Sequence, residues 1–365
     1  MIPVTRPSLP EFDKYVGYLK KLWETKWITN NGEFALLLEE KLRNYLKVKD
    51  VILVSNGTIA LQLALKSLAA RGEIITTPFT FIATTNAILW EGYTPVFADI
   101  DPDTYNIDPK DVEKKITEKT SAILAVHVYG NPCYVEQLEA IANEHNVKLI
   151  FDGAHSFGVE YDNQSVFNYG DVSTLSFHAT KIFNTIEGGA LVTRDRNLAE
   201  KLRLLRDHGI KSAEEIVAVG TNAKMNEFQA AMGLCNLENV NQNIELRKKL
   251  YKRYVRKLGK HKKFQFQKLK ASTYNYAYMP VAFENETMRD EVHKELLRHE
   301  IVSRKYFYPL TADSSYLKTE KTRIKKDSLP IASNVAQRIL CLPLYPELPV
   351  EEVDRITELV KRIAD

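Results

Sequence analysis

The chain has 365 residues, 44% hydrophobic and 27% charged, an ordinary composition for a globular protein. Its 50 Lys and Arg against 47 Asp and Glu leave a net charge of +3, too even for the clustered basic footprint of a nucleic-acid binder. The basic cluster at 247–263 is broken by Leu, Tyr and Val at helical spacing and reads as a solvated helix face.

Cys133, Cys235 and Cys341 lie far apart and form no CxxC pair, so neither a disulfide scaffold nor a zinc site is expected. No metal is expected elsewhere. No run of about 18 apolar residues is present and the first residues lack an apolar signal core. A cytoplasmic protein with no membrane partner is the expectation. The length exceeds one simple core and fits a large domain over 1–245 with a smaller one over 246–365.

Short β-branched runs predict strands at 51–54, 74–77, 96–100, 122–127, 147–151, 172–177 and 190–193. Between them, apolar residues at helical spacing predict helices over 58–70, 134–145 and 198–208. Strands alternating with helices give an α/β fold with a mainly parallel seven-stranded sheet covered on both faces. The last two strands lack an intervening helix, so one of them is free to run antiparallel. Further on, a helix is expected over 246–258, a strand over 264–282, a helix over 288–299 and a strand over 301–308. A surface loop over 311–329 and helices over 333–340 and 350–364 complete a smaller C-terminal α/β domain.

In open α/β sheets ligands bind beyond the carboxyl ends of the strands. The first strand ends in Ser55-Asn56-Gly57-Thr58 and a helix starts at once. Small residues at a helix N-terminus make a cradle for phosphate, although the same residues also serve as a plain helix cap. The fifth strand ends in Phe151-Asp152-Gly153-Ala154-His155. A carboxylate at a strand tip needs a cationic partner, and a pyridinium nitrogen is one; a structural ion pair is the plainer reading. His155 is placed to meet the same ring, or to pack in the core. The sixth strand leads through Ser176-Phe177-His178-Ala179-Thr180 to Lys181. A half-buried lysine there has a lowered pKa and attacks a carbonyl, whereas most lysines are merely solvated. Lys224 is the rival lysine, but no strand delivers it. The combination of phosphate loop, acid and lysine, each behind its own strand, points to pyridoxal 5'-phosphate.

These segments together resemble the DegT/DnrJ/EryC1/StrS family of sugar aminotransferases, of the aspartate-aminotransferase-like fold type I. The resemblance runs end to end, from Pro3-Val4-Thr5-Arg6-Pro7 and Trp27-Ile28-Thr29-Asn30-Asn31-Gly32 to Leu340-Cys341-Leu342-Pro343-Leu344. Between lie Thr77-Pro78-Phe79-Thr80-Phe81, Val126-His127-Val128-Tyr129-Gly130, Glu187-Gly188-Gly189 and Met225-Asn226-Glu227, beside the motifs above. It implies that Lys181 carries the cofactor as a Schiff base and moves protons. It makes Asp152 the partner of the ring nitrogen and Phe81 the ring's stacking aromatic. Gly57, Thr58 and Ser176 match phosphate contacts, and His155 a position near the ring hydroxyl. Asn226 matches a phosphate contact given to the neighbouring subunit, which implies a homodimer with active sites at the interface. Lys305, Tyr306 and Tyr308 lie where the family approaches its sugar nucleotide.

Retention of Lys181 favours transamination over the dehydration performed by family members that replace this lysine. The stretch from Phe177 to Thr185 resembles the branch acting on 4-keto-6-deoxy sugars. The implied reaction takes an amino group from L-glutamate to dTDP-4-keto-6-deoxyglucose, giving dTDP-4-amino-4,6-dideoxyglucose for surface polysaccharides such as O-antigen. A 3-keto sugar nucleotide aminotransferase and a pyridoxal-phosphate-dependent sugar dehydratase are the alternatives.

Overall fold

The computed structural model describes residues 1–68, 72–318 and 329–364. Helices α1 (Phe12–Thr25) and α2 (Glu33–Leu46) precede the first strand. The sheet strands are β1 (Asp50–Val54), β2 (Glu73–Thr76), β3 (Thr94–Phe97), β4 (Thr120–Val126), β5 (Lys148–Asp152), β6 (Val172–Ser176) and β7 (Gly189–Thr193). They form one seven-stranded sheet in the order β1-β7-β6-β5-β4-β2-β3. β2 pairs in parallel with β3 and β4, β4 with β5, and β5 with β6; β7 runs antiparallel to both β6 and β1. The reversed strand foreseen in the sequence is therefore β7, reached from β6 without a helix. Its reversal places the start of β7 beside the carboxyl ends of β1 and β6.

Helices α3 (Gly57–Lys66), α4 (Ile82–Trp90), α5 (Pro109–Lys115), α6 (Val135–Glu144) and α7 (Arg196–Arg206) connect or flank these strands. The strands are buried along most of their length because both faces are covered. Val51 and Leu53 of β1 join one core cluster while Ile52 and Val54 join another, and β4 splits Ile123 from Leu124 in the same way. Residues 69–71, at the end of the helix expected over 58–70, lie outside the described residues.

β1 is an edge strand, and side chains satisfy its open edge. Glu39 of α2 accepts a bond from the Leu53 amide at 3.0 Å. Arg206 of α7 donates to the Leu53 carbonyl at 3.0 Å and to Glu39 at 2.8 Å. The two side chains are 7% and 15% exposed. Arg206→Met removes one partner of this nearly buried pair. It is expected to lower the unfolding free energy by about 3 kcal/mol in urea titration, the lower end of the range for a broken buried pair because Glu39 keeps some water.

Helix α8 (Glu227–Leu258) spans 32 residues, about 48 Å at 1.5 Å per residue. The domain boundary expected at 245/246 falls inside it. A loop entering a helix was expected over 222–231 and a helix over 246–258, with nothing assigned between; the first half is buried under the large sheet, with Ala230, Ala231 and Leu234 in the same core cluster as β1. Its far half packs under a small antiparallel sheet of β8 (Phe264–Gln265), β9 (Met279–Phe283) and β10 (Ile339–Leu342). Helices α9 (Glu286–Arg298), α10 (Pro330–Arg338) and α11 (Val350–Ala364) pack against this second unit, whose core includes Leu250, Tyr254, Phe283, Val292 and Ile356.

Three expectations for this region need correction. The strand expected over 264–282 forms strand ladders only at its two ends, with one isolated bridge between them, Thr273 with Glu160. The stretch expected as a strand over 301–308 contributes isolated bridges, Ile2 with Ile301 and Arg304 with Cys341. The helix expected over 333–340 runs from Pro330 to Arg338, and the chain then enters β10. Short 3-10 turns cover Thr311–Asp313 and Ser315–Lys318 of the expected loop, and residues 319–328 lie outside the described residues.

Candidate active site

A cavity of about 770 Å³ opens at the carboxyl edge of the large sheet. Gly57, Thr58, Phe81, Asp152, His155, Ser176, Lys181 and Tyr306 all line it. The parallel strands bring these segments together, as the strand-tip rule requires.

The β1–α3 junction forms one wall. The Asn56 side chain caps α3 by accepting from the Ile59 amide at 2.9 Å, and the Asn56 carbonyl takes the Ala60 amide at 3.2 Å. The amides of Gly57 and Thr58 lie in the first turn, where no helical carbonyl serves them. A Cβ added at Gly57 would stand 2.7 Å from Ser176 Cβ, so glycine is required for the two chains to meet here. Gly57→Ala is expected to cost about 1–3 kcal/mol of stability through overpacking and to weaken cofactor retention. Thermal melting and cofactor titration read the two effects.

Asp152 ends β5, only 6% exposed. Thr84 Oγ1 donates to its Oδ2 at 2.9 Å and the Ala154 amide to its Oδ1 at 3.1 Å. Thr80 and Thr84 hydroxyls meet at 2.9 Å and extend the chain. Burial raises the Asp152 pKa, while these donors and the Lys181 charge pull it back. A carboxylate held only by neutral donors in a buried site gains most from a bound cation.

His155 is also buried, and its Nδ1 has no hydrogen-bond partner. Burial first, then the charges of Lys181 and Arg304, hold its pKa well below the ordinary value, so the ring is neutral. Its ring is 4.7 Å from Tyr278 and 5.9 Å from Phe307. Phe81, the N-cap residue of α4, leaves its ring 48% exposed at the cavity.

Lys181 follows β6 in a turn closed by its amide and the His178 carbonyl at 2.9 Å. Burial pushes its pKa down to about 8, against the pull of Asp152. Among the described residues no ion pair or hydrogen bond engages its amine. Lys224, the rival, is instead paired with Asp207 at 2.5 Å, its side chain 7% exposed.

Free first-turn amides beside Ser176, a buried carboxylate without a cation, an orphaned histidine nitrogen and an unpaired lysine of lowered pKa fit one group. It is flat, phosphorylated, and carries a basic ring nitrogen and a carbonyl, which describes pyridoxal phosphate.

The remaining expected residues lie elsewhere. Asn226 caps α8 in a reciprocal capping box with Gln229, and does not line this cavity. The neighbouring Glu227 fixes that helix start by accepting from the amides of Phe34 and Ala35 at 2.8 and 3.0 Å. Lys305 is ion-paired with Asp290 at 2.5 Å, and Tyr308 stands against Arg289. Neither of the two is on the cavity wall. The cavity also recruits Thr84, Tyr278 and Arg304, which the sequence did not announce, and His178, Glu187 and Asn222, which stood in its motif segments without an assigned role. Thr84 had a weak signal, standing one helical turn after Phe81. Tyr278 and Arg304 had none, because neither stands at the end of a strand of the seven-stranded sheet.

The model of the DegT/DnrJ/EryC1/StrS aminotransferase family matches residues 12–361. A dTDP-4-amino-4,6-dideoxy-D-glucose transaminase of Escherichia coli is 41% identical, with 98% of each chain covered. A GDP-perosamine synthase of Escherichia coli O157:H7 is 33% identical over 98% of this chain and 97% of its own. The crystal structure of DesI in the presence of its TDP-sugar product superposes with a TM-score of 0.92 at 33% identity, covering 100% of this chain and 93% of that one. NtdA from Bacillus subtilis with bound cofactor PMP gives a TM-score of 0.89 at 27% identity, covering 96% and 81%.

Proposed function

Because the chain belongs to the DegT/DnrJ/EryC1/StrS aminotransferase family, of pyridoxal-phosphate-dependent sugar aminotransferases with fold type I, we propose that it moves an amino group from L-glutamate to dTDP-4-keto-6-deoxyglucose. The product is dTDP-4-amino-4,6-dideoxyglucose. The observation that carries this reading is the full-length likeness to the E. coli transaminase of that name, joined to a cavity in which Lys181 and Asp152 face the same space.

Pyridoxal phosphate, when bound, supplies a carbonyl for the amino group and a ring that withdraws electrons while its nitrogen is protonated. The residues do the rest. Gly57, Thr58 and Ser176 hold the phosphate with amides and hydroxyls at the α3 N-terminus. Phe81 covers one ring face. Asp152 keeps the ring nitrogen protonated by offering a buried carboxylate. His155, neutral, offers a nitrogen toward the ring hydroxyl. Lys181, with a pKa near working pH, would take the proton from the donor's α-carbon and, in the second half of the cycle, deliver one to the sugar carbon that gains the amine.

The same proposal includes a homodimer in which Asn226 reaches the phosphate of the neighbouring subunit. Exposed Trp23 and Trp27, with Ile28 leading toward α2, supply an apolar face for such a contact. A cytoplasmic setting and a role in surface polysaccharide synthesis go with this reading; the three cysteines are free and buried. The test is to incubate cofactor-loaded protein with glutamate and a panel of keto-sugar nucleotides. Mass spectrometry should show the dTDP-4-keto-6-deoxy compound gaining an amine. Preferential conversion of a GDP-linked or 3-keto sugar, or deoxygenation with ammonia release, would overturn the substrate assignment.

A further inference from the structure

An amino-acid donor carries a carboxylate on the carbon next to its amine, and that anion must be bound wherever the amine is handled. The charged groups lining the cavity are Asp152, His155, His178, Lys181, Glu187 and Arg304. Asp152 and Glu187 have the wrong sign. His155 is held neutral by burial. His178 is engaged with Thr180 at 2.9 Å and stands 3.6 Å from Glu187. Lys181 is taken up by the proton transfers.

Arg304 is left, and its setting is that of a prepared site. Its main chain is fixed at both ends, the amide to the Cys341 carbonyl at 3.0 Å and the carbonyl to the Cys341 amide at 2.8 Å. Its guanidinium lies over the Tyr306 ring, Cζ 4.0 Å from the centroid. Stacking of this kind holds the planar group by its face and leaves its N–H edge for a carboxylate. Among the described residues nothing bonds that edge. The next residue, Lys305, is by contrast neutralised by Asp290. The Tyr306 platform lies 6.0 Å from the His155 ring and 6.5 Å from the Phe81 ring, so the guanidinium borders the reacting space.

We propose that Arg304 receives the α-carboxylate of the amino donor and thereby selects amino acids over simple amines. The inference rests on the aminotransferase reading above. The alternative anion is the diphosphate of the sugar nucleotide, but the whole width of the pyranose ring separates it from a 4-keto carbon. An α-carboxylate is one bond from the carbon bearing the nitrogen, which suits a cation that bounds the same space as Lys181. The charge of Arg304 is felt at both Lys181 and His155, in agreement with that placement.

The experiment uses cofactor-loaded full-length protein as wild type, Arg304→Met and Arg304→Lys. The glutamate half-reaction is followed by cofactor absorbance, and dTDP binding by calorimetry. Arg304→Met should raise the glutamate concentration for half-maximal change by about 10- to 100-fold, the loss of a charge-assisted bond, with a smaller effect on the limiting rate. Arg304→Lys should recover part of it, and dTDP affinity should stay within about twofold of wild type in both. Unchanged glutamate dependence in Arg304→Met, or weakened dTDP binding in place of it, overturns the inference and in the second case moves Arg304 to the nucleotide's phosphates. A wild type that holds the cofactor and binds dTDP, yet shows no spectral change with glutamate, overturns the donor reading itself.

Discussion

Lys181→Ala protein should fold, hold its cofactor loosely, and turn over slower than wild type by on the order of 10,000-fold or more, because it removes both a covalent anchor and a proton carrier. Lys181 is half-buried with a pKa pushed down to about 8, and no partner competes for its amine. A solvated lysine near 10.5 would be almost wholly protonated at neutral pH and unable to take a proton. Two other candidate bases are poor substitutes. His155 is held neutral well below its usual pKa, and Lys224 is tied to Asp207. Gel filtration followed by absorbance should show cofactor lost from the variant and kept by wild type, and steady-state assay should show the rate loss. Near-normal turnover by Lys181→Ala would remove Lys181 from its role. The same rate loss with tight cofactor retention would leave it the proton transfer but not the attachment.

The parts of the site that could be read from sequence sit at the ends of strands. A β-branched run that stops at Asp152 or leads to Lys181 through small polar residues marks a strand tip, and parallel order gathers such tips on one edge. Residues that follow α8 carry no such mark. Arg304 is one arginine among many in the sequence, and the bridge to Cys341, a long-range contact, helps bring it to the cavity. Lys305, one position on, turns toward Asp290 instead. Helices α1 and α2 were missed for a related reason: Trp23 and Leu36 stand exposed on them and blur the apolar stripe. The first half of α8 has four asparagines among residues 236–243, which weakens helix propensity; packing against the sheet overrides it. Residues 266–278 have the β-rich look of a strand, yet Gln267 and Asn275 spend their side chains on the carbonyls of Thr104 and Phe157.

Asp152→Asn keeps the shape of the site and removes its charge, and turnover should fall by about 100- to 1,000-fold, the loss typical of one preorganised electrostatic group. The carboxylate has only Thr84 and the Ala154 amide for company, both neutral donors. An amide in its place cannot hold a proton on the ring nitrogen, so the ring withdraws electrons less well when the α-proton leaves. A second effect has a definite sign. The Asp152 charge raises the Lys181 pKa, and burial lowers it to about 8 overall. With the charge gone, Lys181 should titrate below 8. Only the neutral amine attacks a carbonyl, so wild-type apoprotein should capture pyridoxal phosphate with a rate that rises with pH and is half-maximal near 8. In Asp152→Asn the same rise should come at lower pH, even as the loaded enzyme slows. A midpoint that stays put or moves upward would mean that the two groups do not share the cavity electrostatically. Unimpaired turnover would show that the ring nitrogen draws its proton from another source.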